Sequence, residues 1–334
     1  MFNQINLKNI VIGVLLLLIL SKVYKKIKSN DDERDNKYYN QVIQQYLFDE
    51  NLGIDERPCL WIHLHNDTDT IPEVNSRFWP SFGSRNTLLI NMPYQILTLK
   101  SIIEKNREDF NILIINDESF EKLIPNWKIN LYEIPIPLRP RIRQMALGQL
   151  LFLHGGIIVP STLICHKSLS PIYQMYTIDN KMFVGSFRNN INNFQITNNT
   201  IPQTWLWGTR PRCPLLREFL NYCETNQSKD FTAESDFTGT ISIWLRKKIQ
   251  NDEMNEIEGR LIGTLKNNKQ EVWVEELLGS SYLDLYEDRL ATYIPWDEIL
   301  NRSIYGWFSR MDPYQVLESN TFIGKLLLTN QYCY

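Results

Sequence analysis

IRQMALGQLLFLHGGIIVPSTLICHKSL, running from Ile142 to Leu169, is the stretch on which the reading of the fold turns. Residues Arg139 to Leu153 repeat as a helix and are apolar on most sides, which predicts a buried helix. Gly155-Gly156 ends it, because the left-handed backbone of a helix end is open to glycine. Ile157 to Val159 is β-branched and follows as a short strand. A buried helix passing through two glycines into a strand is one step of an alternating α/β chain.

Working upstream, Cys59 to His65 is an apolar strand-like run closed by Asn66-Asp67, and Leu88 to Asn91 is a shorter extended segment. Tyr94 to Glu108 is predicted helical, with Ile96, Leu97, Leu99, Ile102 and Ile103 as its apolar stripe. Phe110 to Ile115 is a strand closed by Asn116-Asp117. Glu118 to Leu123 suits a short helix and Ile129 to Glu133 a strand. Downstream, Met182 to Phe187 is another strand. This alternation predicts a mostly parallel, doubly wound sheet with helices on both faces. Beyond Pro211 the chain reads as mainly helical. Cys213 to Cys223 and Thr238 to Ile249 are predicted helices, Val272 to Val274 a late strand, and Trp296 to Leu328 helices packed on the sheet. Open α/β sheets bind ligands at the carboxyl ends of their strands. Asn66-Asp67, Asn116-Asp117 and Pro160 are predicted at such ends.

The chain has 334 residues, 43% hydrophobic and 12% aromatic, with a formal net charge of -3. That supplies a large core and excludes a chain disordered throughout. The charge lacks the basic excess of a general nucleic-acid binder, so no nucleic-acid partner is expected. Ala occurs only at Ala146, Ala233 and Ala291, against abundant Asn, Ile and Lys, as AT-rich codons produce. Five cysteines without a C-x-x-C pair argue for reduced thiols rather than a disulfide framework or a zinc knuckle. Sequons begin at Asn66, Asn198, Asn226 and Asn301.

Ile10 to Leu20 is an unbroken apolar run. A hydrocarbon core about 30 Å thick needs more, and Leu7 to Tyr24 reaches that length if Lys8 and Lys22 snorkel. Lys22, Lys25, Lys26 and Lys28 follow it where a cleavage site would stand, which reads as a retained anchor. The same lysines predict a single-pass membrane protein with its globular part on the cytosolic side. The expected organisation is an anchor at 1–28, a polar linker at 29–57, an α/β core at 58–225 and a helical part at 226–334.

The Ile142–Leu169 segment resembles the central motif of glycosyltransferases with a DxD sugar-binding motif, often called family 32. That family contains initiating mannosyltransferases and capsular-polysaccharide enzymes. The order of Leu60-Trp-Ile-His63, a helix, a strand ending near Asp117 and then Gly155-Gly156 is also similar. The likeness covers residues 58 to 225 and implies a GT-A-like, Rossmann-like fold that binds a nucleotide sugar. LWIH followed by SFGSR (Ser81 to Arg85) and GGIIVP also looks like a group of membrane-anchored proteins of large DNA viruses. Aligned on the glycines, the family's helix Asp and Arg fall on Gln144 and Leu147. Its two metal-binding aspartates fall on Pro160 and Thr162. Mn²⁺ or Mg²⁺ is therefore expected only if the family chemistry survives.

By this resemblance Asp117, Gly155, Gly156 and Arg85 are candidates for holding a nucleotide sugar. Asp67 and Asp69 form the one D-x-D near a strand end, after His63-x-His65 on one strand face. These four are weak candidate cation ligands, and the favoured reading is an Asx turn closing a strand with a half-buried histidine pair. Asp117 also reads as the N-cap of the helix after it. Arg85 reads as a diphosphate fork or as a structural salt bridge. His154 is expected to satisfy a helix-end carbonyl, and the Arg139, Arg141, Arg143 run to form a solvated face. Asp236 could serve near an acceptor. Two functions follow. One is a membrane-bound transferase moving a hexose from a nucleotide sugar to a glycan or protein. The other is a catalytically silent protein using the same fold as a scaffold, in a virus particle for instance.

Overall fold

Cys59–His63 (β1) and Asn111–Ile115 (β2) pair in parallel, from Cys59 opposite Asn111 to His63 opposite Ile115. Leu60, Trp61, Ile62, Ile112, Leu113 and Ile114 are all buried. Neighbouring residues point to opposite faces, so both faces of these strands are covered, and their apolar runs do not alternate. The computed structural model describes residues 22, 45–46, 48, 55–64, 94–135, 138–189, 199–229 and 234–332. The chain divides into two units, 1–45 and 46–334, and the architecture below is that of the second.

The helix Gln95–Asn106 (α1) precedes β2, and Ser119–Leu123 (α2) follows it. Arg139–His154 (α3) is the long helix expected, but it buries one side rather than most of its surface, with Leu153 exposed, and it leads into Gly156–Ile158 (β3). Then come Leu163–Cys165 (β4), Ser170–Tyr176 (α4), Phe183–Arg188 (β5) and Thr200–Thr209 (β6). Pro214–Gln227 (α5), Glu234–Gln250 (α6), Asn255–Ile257 (β7), Val274–Leu277 (α7) and Ala291–Tyr293 (β8) follow. The last elements are Trp296–Asn301 (α8), Gly306–Arg310 (α9), Pro313–Glu318 (α10) and Phe322–Tyr332 (α11).

The main sheet has the order β2-β1-β3-β6-β5-β7, and β4 pairs with β8 in a second, two-stranded sheet. β6 is antiparallel to both neighbours, while the β1–β2, β1–β3 and β5–β7 pairs are parallel. Five of the six strands thus share one direction, and the carboxyl ends of β1, β2, β3 and β5 lie along one edge. On one face, Trp61, Ile158, Val184 and Trp207 pack against Ala146 and Leu150 of α3, Phe219 of α5 and Leu245 of α6. Each large side chain wholly removed from water contributes about 1.5–3 kcal/mol.

The glycine pair is demanded by geometry. Gly155 has φ 68°, and a Cβ there would strike Pro211. Gly156 has φ 101°, and a Cβ there would strike the Cys59 carbonyl oxygen. Only glycine admits that backbone and that approach of β3 to β1.

Several expectations change. Ile129 to Glu133 is not a strand. The Asn130 side chain accepts the Tyr132 N–H at 3.1 Å and folds Leu131–Glu133 into a 3₁₀ turn. Val272 to Val274 is not a strand either. The Glu276 carboxylate accepts the Trp273 N–H at 3.0 Å and starts α7 there. Strand β6 was not marked in the sequence, because Pro202 and Gly208 interrupt its pattern. Pro202 is tolerated inside the sheet because β3 pairs only with Trp207 to Thr209. The part beyond Pro211 includes β7 and β8 as well as helices. The expected anchor and the Leu88–Asn91 segment lie outside the described residues. Among the described residues no helix is long and apolar enough to cross a membrane.

Cys59, Cys165, Cys213 and Cys223 are buried free thiols. Burial pushes Cys59 up to about 11 and Cys165 and Cys223 up to about 12, so these sulfurs are inert. Asn226 is wholly buried in α5, and its side-chain oxygen accepts from Lys229 Nζ at 3.0 Å.

Candidate functional site

Two places on the carboxyl edge of the sheet concentrate polar side chains. The first joins β1, β2 and α3. His63 is the last residue of β1, and Asp117 lies just beyond β2 on the neighbouring strand end. His63 Nε2 lies 2.8 Å from Asp117 Oδ1. Arg143, on the first half of α3, donates from Nε to the same oxygen at 2.8 Å and from Nη2 to Oδ2 at 2.6 Å. All three side chains are buried. The His63 ring also stacks on Phe120, with centroids 5.5 Å apart and planes 4° from parallel. Burial alone would raise the Asp117 carboxyl. The hydrogen bonds from Arg143 and then His63 outweigh it and hold that carboxyl well below the usual carboxylate range.

Asp117 is therefore not the N-cap of α2. Asn116 does that work, accepting the Ser119 N–H at 3.0 Å. Nor do the arginines form a solvated face. Arg139 and Arg143 are buried, and Arg139 donates to the carbonyls of Ile134 and Tyr132. Positions four apart share one side of a helix, which was the signal available in the sequence. His154 does bond a carbonyl, that of Leu123 at 3.0 Å. Gly155 and Gly156 sit at the amino end of β3, the opposite edge from His63 and Asp117. His65, Asp67, Asp69 and Arg85 lie outside the described residues, as does the Asp236 side chain.

The second place is a cavity between β5, β6, β8 and α8. Its walls include Arg188, Trp205, Tyr293, Asp297, Glu298 and Leu277. Arg188 ends β5, so the cavity opens on the same edge as His63. Phe187, Trp205 and Tyr293 interlock there, with Phe187–Tyr293 centroids 4.8 Å and Trp205–Tyr293 centroids 5.5 Å apart. The Tyr293 hydroxyl is buried and has no hydrogen-bond partner among the described residues. Its pKa is raised well above that of a free phenol by burial, and next by the Asp297 charge, so it remains a donor. Arg188 is ion-paired with Glu298. None of these residues was marked in the sequence. They come from five separate segments, and no local pattern joins them.

The donors do not fit the divalent ion that the resemblance implies. Proline at 160 offers no side-chain ligand, and Thr162 is buried with an unpartnered hydroxyl. Among the described residues no three His, Cys, Asp or Glu side chains group to hold a metal. Gln144, where the family has Asp, donates to Thr204 Oγ1 at 2.5 Å and ties α3 to β6.

No family model matches the chain, and no curated protein matches it. Solved glycosyltransferases are similar to it at low identity. Glycosyltransferase GlyE of Streptococcus pneumoniae TIGR4 is 9% identical over 62% of this chain, with a TM-score of 0.33, and this chain covers 46% of that one. An active-site mutant of LgtC is 11% identical, covering 75% of this chain and 93% of that chain, with a TM-score of 0.35. Mouse xyloside xylosyltransferase 1 is 8% identical, covering 72% and 98%, with a TM-score of 0.38.

Proposed function

We propose that this chain is a membrane-anchored glycosyltransferase-like protein that seats one group of a sugar at the narrow cavity beside Arg188, whose volume of about 20 Å³ has room for little more than a water molecule. The observation that carries the reading is the make-up of the cavity wall. Trp205 offers an apolar ring to the C–H face of a sugar. The unpartnered Tyr293 hydroxyl and the Arg188–Glu298 pair offer donors and acceptors to its hydroxyls. Aromatic walls with a few convergent polar groups are the usual make-up of small-molecule sites. In this reading a hexose passes from a nucleotide sugar to a glycan or protein acceptor. The anchor is Leu7 to Tyr24, and the four lysines after it hold the domain on the cytosolic side. Protease added from that side is expected to digest the domain, and protection would reverse the topology.

A second reading is a catalytically silent protein of the same fold, with a structural or interaction role at a membrane or in a virus particle. Pro160, Thr162, Gln144 and Leu147 support it, since they stand where the resembled family keeps its donor and metal contacts. One experiment separates the two. Nucleotide sugars and free glycans are screened by thermal shift on the full chain in detergent, and transfer is assayed with each one that binds. A shift lost in Trp205→Ala supports the cavity, and transfer then makes it an enzyme. Binding without transfer marks the silent protein. If no sugar shifts the melting temperature, the cavity reading falls.

A further inference from the structure

The cavity beside Arg188 is small and carries few polar groups, so the chemistry it can take is narrow. Its volume of about 20 Å³ suits one small polar group. Val272, Leu277 and the Trp205 ring line it with carbon. Of the polar groups on the wall, the Thr264 hydroxyl donates to the Ser186 carbonyl at 2.8 Å. Arg188 is ion-paired with Glu298, and Arg302 Nη1 reaches Glu298 as well, at 3.5 Å. The Tyr293 hydroxyl is buried with no hydrogen-bond partner among the described residues. The Asp297 carboxylate is on the same wall, near enough for its charge to act on Tyr293.

Candidate groups differ in what they return to that wall. A carboxylate or phosphate accepts from Tyr293 but brings further negative charge beside Asp297 and Glu298, with Arg188 already paired. An ammonium cannot accept the Tyr293 proton. A methyl makes no hydrogen bond and leaves the hydroxyl unmatched. An acetamide is larger than the space. A hydroxyl accepts from Tyr293, can donate to a carboxylate, and is the size of one water molecule. The carbon on the wall then selects what carries that hydroxyl. A ring hydroxyl would draw its polar neighbours against Val272 and Leu277. A hydroxymethyl stands clear of the ring and meets those side chains with a methylene.

Resting on the reading of this cavity as a sugar subsite, we propose that the group it seats is the hydroxymethyl of an uncharged hexose. The methylene lies against Val272, Leu277 and Trp205, and the oxygen accepts from the Tyr293 hydroxyl. Pentoses, 6-deoxyhexoses and uronic acids are disfavoured by the same wall, the first two for want of the oxygen and the last for its charge.

The test uses two series of probes on the full chain in detergent, with affinities from thermal-shift titration. UDP-glucose, UDP-xylose and UDP-glucuronic acid carry a hydroxymethyl, a hydrogen and a carboxylate on otherwise identical rings. GDP-mannose and its 6-deoxy analogue differ by the one hydroxyl. In a series that binds, the hydroxymethyl member is expected to bind about tenfold tighter than the member without the oxygen, as one hydrogen bond provides. UDP-glucuronic acid is expected to bind no better than UDP-xylose. Tyr293→Phe is expected to cut the preference to about twofold and to leave the affinity for the member without the oxygen unchanged, which a damaged fold would not do. Equal affinities within a series, a carboxylate that binds tightest, or a preference that survives Tyr293→Phe would overturn the hydroxymethyl assignment and leave the sugar subsite standing. No shift with either series would overturn the assignment, and the subsite falls with it only if the wider screen of sugars is also blank.

Discussion

The two polar places on the sheet edge are built on opposite plans. At His63, Asp117 and Arg143 both carboxylate oxygens are taken by protein donors. At the cavity the Tyr293 hydroxyl is as deeply buried and has no partner among the described residues. The first place uses three hydrogen bonds to one carboxylate to join β1, β2 and α3. The second retains capacity that a ligand could use. A buried polar atom left without a partner calls for an explanation, and a ligand is one. Asp117 joins three elements through its carboxylate, and Tyr293, which carries no mark in the sequence, keeps a buried hydroxyl that a ligand could use.

The contrast breaks most visibly if that carboxylate is removed. Asp117→Ala takes from buried Arg143 the carboxylate that its Nε and Nη2 bind and is expected to cost about 3–5 kcal/mol, read by denaturant unfolding. A loss under 1 kcal/mol would mean that the trio is open to water and free to act. His63→Ala removes one of the two donors on Asp117 Oδ1 and the stack on Phe120, for an expected loss of about 1–3 kcal/mol.

How much of this was legible follows from where the partners lie along the chain. The helix, the glycine pair and β3 are contiguous, so hydrophobic period and two glycines sufficed. Asp117 was marked by its position after an apolar strand, but its partners were 54 and 26 residues away. The alternation of Arg139, Arg141 and Arg143 predicts side chains scattered around a helix, whereas the spacing of four between Arg139 and Arg143 places those two on one side. The cavity was illegible for a stronger reason. Trp205 faces it only because the β5–β6 register shifts at Val184/Gly185, and a bulge leaves no mark on the alternation of a strand already broken by proline and glycine.

Acid provides a finer test of the Asp117 contacts. The Asp117 carboxyl is held below its unfolded value of about 3.9. Its contribution is therefore full above pH 4 and is lost as pH falls from there towards the depressed folded value. Asp117→Asn is expected to flatten that part of the stability–pH curve, and a parallel curve would assign the acid sensitivity elsewhere. The smallest expected effect is at the cavity. Tyr293→Phe deletes an unpartnered hydroxyl, so stability is expected to hold or rise by up to about 1 kcal/mol, while any sugar-induced thermal shift shrinks. A loss above 1 kcal/mol would show that the hydroxyl is already satisfied and would close the contrast between the two places. Mn²⁺ is expected to leave the melting temperature unchanged, with or without a nucleotide diphosphate, since Pro160 and Thr162 offer it no carboxylate.

Asn226 turns the folding of α5 into a clock. Its side chain is enclosed in the finished domain, so a transferase that attaches oligosaccharide needs the chain before that helix docks. Glycan found at this asparagine would record two events at once: exposure to the lumen, and modification that outran folding. Its absence would say nothing about which side of the membrane the domain occupies.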